Sequence, residues 1–227
     1  MPLSPTAHEA AIKRHMTDGD DPALQSLHDA VKTTRELATK AAATTDIVLK
    51  NAMKTEASRH KDARAAGFSL IERATRSVDE AVRAAQHEII TIQAKVKAPL
   101  AAKDIVSETR QRELRERLSM LPEDRRKAII AEAIKSDDEV LISAILSAPA
   151  WLSGITDAEL ALHRNNWASK HFAADLDRMS RLSKAVEDAN RAGSVAVSFV
   201  DCLTDAKLVE NAEAMERQAH AALAAVK

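Results

Sequence analysis

From Pro22 to Val96 the apolar and small residues recur at alternating steps of three and four. That spacing lines side chains along one face of a helix. The first run is Leu24, Leu27, Val31, Thr34, Ala38, Ala41, Thr45, Val48, Ala52 and Thr55. It fails at Arg59 and Asp62 and resumes past Gly67 in a new phase, as Ile71, Thr75, Val78, Val82, Ala85, Ile89, Ile92 and Val96. No proline lies between Pro22 and Pro99, so the pattern predicts one long helix over 22–98 with a joint near 59–67. A second row closes the chain: Phe172, Leu176, Met179, Leu182, Val186, Ala189, Gly193, Val197, Val200 and Leu203, then Leu208, Ala212, Met215, Ala219 and Leu223. Thr156 and Glu159 form a capping-box signature, so a returning helix is predicted over 156–227, with a candidate break at Gly193.

The segment between the rows differs. Pro99, Pro122 and Pro149 divide 99–155 into short helices, about 100–119, 122–136 and 138–147, and the larger aliphatics gather here. Ile129, Ile130, Ile134, Leu141, Ile145 and Trp151 are the expected core of a compact helical head. Residues 1–21 read as an N-terminal arm with a short helix near 7–16, and Asp21-Pro22 reads as a cap with proline at the first helical position. The expected fold is all-α: two long amphipathic helices in an antiparallel coiled-coil hairpin, with the head between them. Levelling residue 97 with 156 sets Gly67 opposite position 186, within about 10 Å along the rod of Gly193. A four-helix bundle, with both helices broken at that level, is the alternative.

Composition narrows the core. Apolar residues make up 45% but aromatics only 2%, with no Tyr. An Ala-rich seam buries little area per residue, so closely approaching helices fit better than a thick core. Four Gly and six Pro are too few for the turns of a sheet protein. The net charge of −1 supplies no general pull toward nucleic acid or a membrane surface. No apolar run is long enough to span a membrane. The N-terminus has no apolar core of a signal peptide, so the cytoplasm or the interior of a virion or other assembly is the expected location.

Candidate chemistry is sparse. Glu159, His163, Trp167, His171 and Asp175 follow one another at steps of four, so they share a helix face. His163 and His171 are the weak candidates for a metal site. At about 12 Å apart along a straight helix they cannot share one ion without a second chain. Ordinary pairs four residues apart, flanking a buried Trp, account for the same spacing. Cys202, the single cysteine, reads as a small buried apolar residue, since Asp201 beside it opposes thiolate formation. Two locally basic stretches, Lys50, Lys54, Arg59, Lys61, Arg64 and Arg110, Arg112, Arg115, Arg117, are interleaved with acids and lack aromatics to stack bases. No glycine-rich phosphate loop and none of the common metal or nucleophile motifs occurs, so neither an enzyme nor a cofactor is expected.

The long Ala-rich helices resemble, in composition alone and without a shared motif, coiled-coil scaffolds, secretion chaperones, granule-coating phasins and assembly proteins of bacterial viruses. The leading expectation is a structural or scaffolding protein that assembles with itself or into a larger complex, a bacteriophage virion or assembly component being one concrete form. The row Ile71, Val78, Val82, Ile89, Ile92 and Val96 is its expected self-association seam. A phasin-like amphipathic surface binder ranks second, and a helical nucleic-acid-binding module third.

Overall fold

The computed structural model describes residues 3–4, 7–17, 21–97, 102 and 104–225, and every regular element among them is helical. The helices are α1 (Ala10–Lys13), α2 (Pro22–Leu49), α3 (Glu56–Lys97), α4 (Ile105–Ser119), α5 (Glu123–Ser136), α6 (Glu139–Leu146), α7 (Asp157–His171), α8 (Ala173–Asp201) and α9 (Ala206–Ala225). A 3-10 turn, Ala150–Ser153, separates α6 from α7. Starts and stops follow local chemistry. The Asp21 side chain accepts from the Ala23 N–H at the head of α2, with Pro22 at the first helical position. Thr156 and Glu159 form the reciprocal capping box of α7. The Asp138 side chain accepts from the Val140 and Leu141 N–H groups to open α6.

The long helices are more divided than the spacing predicts. The segment 22–98 is two helices, broken at 50–55 and continuous through 59–67. Side chains make the break. Asn51 accepts from the Met53 N–H at 3.0 Å, and the Thr55 hydroxyl accepts from the Ser58 N–H at 3.3 Å, capping α3. Arg59 then fastens the turn by donating to the Leu49 carbonyl at 2.8 Å. Such bonds offer the backbone an alternative to the helix. Ala52 and Thr55 fit the three-four spacing but carry almost no preference for burial, so the periodicity runs past the true break. The segment 156–227 is likewise interrupted, at Phe172 (φ −128°) and between Asp201 and Ala206, where Asp205 accepts from the Lys207 and Leu208 N–H groups to cap α9. Gly67 lies inside α3 and Gly193 inside α8. The expected break after 98 and the start of the first head helix fall partly outside the described residues.

The chain forms two compact units, Met1–Ile89 with Ser180–Lys227, and Ile90–Met179. In the first, Leu24, Leu27, Val31, Thr34, Ala38, Ala41 and Thr45 of α2 are all buried. Ala38 and Ala41 join Ile71 and Ala74 of α3 and Ala196 and Val200 of α8 in one cluster, flanked by Leu37, Phe68 and Phe199. The α3 and α8 helices run antiparallel: Arg64 pairs with Asp201 at 2.6 Å, Gly67 meets Val200, and Val78 meets Gly193. The expected register set Gly67 against position 186. The register is shifted because the helix breaks at Phe172, so the return pairing begins with α8 at Ala173, where Lys95 meets Asp175, and not at 156.

Small residues let these helices approach. A Cβ on Gly67 would lie 3.0 Å from the Val200 Cγ1 methyl. The N-terminal arm is tied down by charge. Arg35 of α2 donates two hydrogen bonds to Glu9, at 2.8 and 3.0 Å. Arg14 and His15 reach Asp188 of α8 at 2.7 and 2.8 Å. Asp188 is almost fully buried. Burial alone would raise its pKa, but the bonds from His15 and Arg14 prevail and hold it below the ordinary 3.8.

In the second unit Leu118, Ile130, Ala133, Ile142, Ile145, Leu146, Ala150, Ile155 and Leu160 form a core drawn from α4, α5, α6, the 3-10 turn and α7. Every residue of α6 from Ile142 to Leu146 is buried. Its one buried hydroxyl there, Ser143, accepts from the Gln111 amide of α4 at 2.8 Å. Two arginines satisfy the C-terminal carbonyls of α6: Arg115 donates to Ala144 at 3.1 Å, and Arg164 donates to Leu146 through Nε at 3.2 Å and Nη2 at 2.8 Å. Gly154 has φ +68°, and an added Cβ would meet the Arg126 guanidinium at 2.9 Å and the Ser119 backbone at 3.1 Å, so glycine is required at this turn.

Candidate functional site

The structure distributes the residues singled out from the sequence. In the seam, Ile71, Val78, Val82 and Ile92 are buried within the chain, while Ile89 and Val96 are half-buried. Of the expected head core, Ile130 and Ile145 lie in the central cluster, and Ile134 and Leu141 pack against it. Ile129 and Trp151 do not: they are 41% and 74% exposed. Ile129 is one residue, about 100° of helix rotation, from the inward face that Ile130 sets. In the 3-10 turn Ala150 takes the inward place and Trp151 points out.

The step-of-four row Glu159, His163, Trp167, His171, Asp175 comes apart. Glu159 serves the capping box and pairs with Lys127 at 3.4 Å. His163 borders a small apolar void with Ile130, Ile142 and Trp167, and its Nδ1 is shielded from solvent without a hydrogen-bond partner. Burial pushes its pKa below the ordinary 6.5, against the pull of Glu159. His171 stacks on Trp167 with ring centroids 3.6 Å apart and reaches Asp137 at 3.3 Å. Asp175 lies past the helix break and pairs with Lys95 at 2.6 Å. Among the described residues no three His, Cys, Asp or Glu side chains gather as a metal site would need. Cys202 is exposed rather than buried, because α8 ends at Asp201 and the thiol lies on the turn.

The first basic stretch is neutralised from within. Lys50 pairs with Asp46, Lys54 with Asp62, Lys61 with Glu216 and Arg64 with Asp201, and Arg59 is held by a backbone carbonyl. No described helix is long and apolar enough to cross a membrane.

One concavity stands out, a groove of about 690 Å³ within the second unit. Val96 from the end of α3, Leu146 from α6, Trp167 from α7, and Leu176 and Met179 from the start of α8 form its apolar wall. Gln93, Ser147, Asn165, Ser169 and Arg164 supply polar groups. Its size is that of a small-molecule site. Among the described residues Arg164 is the one charged member of the lining. The sequence could not reveal this place: its lining comes from four helices and spans Gln93 to Met179, and no lining residue is unusual by itself. Among the described residues the lining holds no carboxylate, imidazole or thiol.

No protein-family model matches the chain, and no curated protein or solved structure matches it.

Proposed function

We propose that this is a non-enzymatic structural or scaffolding protein that assembles with itself or into a larger complex; a bacteriophage assembly component is one such setting. The observation that carries the reading is where large apolar side chains remain in solvent. Ile105 and Val106 on the first turn of α4, Met120 at its end and Trp151 are 81, 77, 82 and 74% exposed, all in the second unit. Single exposed apolar residues are ordinary, but an exposed Trp is the side chain most enriched among residues that dominate protein interfaces. This moves the proposed association surface off the Ile71–Val96 seam, most of which is already covered within the chain, and onto exposed side chains of which Trp151 is the largest; the first unit exposes Ile47, Met53, Met215 and Leu223 as well.

Sedimentation velocity at tens of micromolar tests it. Association of the wild type is expected, and Trp151→Glu is expected to shift it toward monomer without loss of helix, since the side chain carries no core packing. A monomeric wild type, or a Trp151→Glu variant that associates as strongly, overturns the reading.

A further inference from the structure

We propose that the groove of the second unit binds an amphipathic monoanion, an unbranched acyl chain ending in a carboxylate, with Arg164 taking the carboxylate. The inference is independent of the association reading. It rests first on charge. Arg164 lines the groove and has no carboxylate within ion-pair distance among the described residues. Every other described residue lining the groove is uncharged.

The guanidinium is also positioned. Its Nε and Nη2 both donate to the Leu146 carbonyl at the C-terminus of α6, which fixes the plane of the fork. Nη1 takes no partner among the described residues. The helix terminus contributes only about half a negative charge, so a net positive field remains at the groove. A carboxylate on Nη1 would complete a charge-assisted bond. The remaining requirement is an apolar body, because Val96, Leu146, Trp167, Leu176 and Met179 form the wall. The uncharged Gln93, Asn165 and Ser169 make no side-chain hydrogen bond among the described residues and are free to give the head group a second one. A cation is disfavoured by Arg164, and a polyanion finds no second positive charge among the described lining residues.

The two tryptophans allow a direct test. Trp151→Phe removes the exposed one and leaves Trp167, in the groove wall, as the sole emitter. Titration of this full-length variant with dodecanoate, below its micellar range, is expected to give a saturable change in Trp167 emission. Dodecanol is expected to bind at least tenfold more weakly, and dodecyltrimethylammonium not to bind. Arg164→Gln is expected to weaken dodecanoate at least tenfold while leaving dodecanol unchanged. Because Arg164 also caps α6, Ala161→Phe is the second variant: it fills the groove from an exposed lining position, adds no competing emitter, leaves Arg164 in place, and is expected to abolish binding of both ligands with the circular dichroism spectrum preserved. The proposal is overturned by no saturable change with dodecanoate, by equal binding of dodecanol, or by undiminished dodecanoate binding in either variant.

Discussion

Gly67 offers a prediction whose sign the sequence and the structure set oppositely. In an isolated helix Gly→Ala stabilises by about 1 kcal/mol, since alanine has less backbone freedom to lose. Gly67 lies well inside α3, so sequence alone forecasts that gain. In the structure the new Cβ would stand 3.0 Å from Val200 Cγ1, where unstrained carbon pairs sit at about 3.5–4.0 Å. The Val200 side chain cannot easily give way: it is β-branched, so its rotamer is restricted in a helix, and it is 2% exposed. Overpacking of this kind costs about 1–3 kcal/mol. The two effects leave Gly67→Ala net destabilising by about 1 kcal/mol.

Val200→Ala removes the obstructing methyl. It lowers stability by about 2 kcal/mol through lost burial and the space left behind, but it frees Gly67→Ala to act through helix propensity alone. In that background Gly67→Ala should stabilise by about 1 kcal/mol, a coupling of about 2 kcal/mol between the two sites. Urea unfolding of the four proteins, followed by circular dichroism at 222 nm, reads the cycle. A Gly67→Ala variant that stabilises the wild type by about 1 kcal/mol, or a coupling near zero, would refute the close approach of α3 and α8.

Ile130→Ala should cost about 2–5 kcal/mol, because Ile130 is 1% exposed at the centre of the second unit's core. Its neighbour Ile129→Ala should cost far less, and equal losses in thermal unfolding would contradict the packing of α5. Asp188→Asn should lose about 1.5–3 kcal/mol at pH 7 by weakening the bonds from Arg14 and His15. Since the folded pKa of Asp188 is depressed, its stabilisation is complete above about pH 4 and disappears as pH falls through the lower folded value. The wild type should therefore lose its advantage over Asp188→Asn in acid, and a stability difference constant from pH 7 down to pH 2 would count against an ionised Asp188.

The sequence by itself determined the helical class, the buried row of α2, and the capped starts of α2 and α7. The row from Leu24 to Thr45 is buried as its spacing implies, and Asp21-Pro22 and Thr156–Glu159 start helices where their capping chemistry places them. These features were legible because periodicity and capping act over a few residues, within one turn or two. The reversal at 50–55 was harder to read: Asn51 and Thr55 are individually common signals, and the small residues around them fit a helix as well as a turn. The register of α3 against α8, the burial of Asp188 by an arm more than 170 residues away, and the groove around Arg164 were settled by tertiary structure alone. Each depends on which helices meet, and an Ala-rich face, with little shape or area to discriminate partners, leaves that choice to the balance of the whole packing.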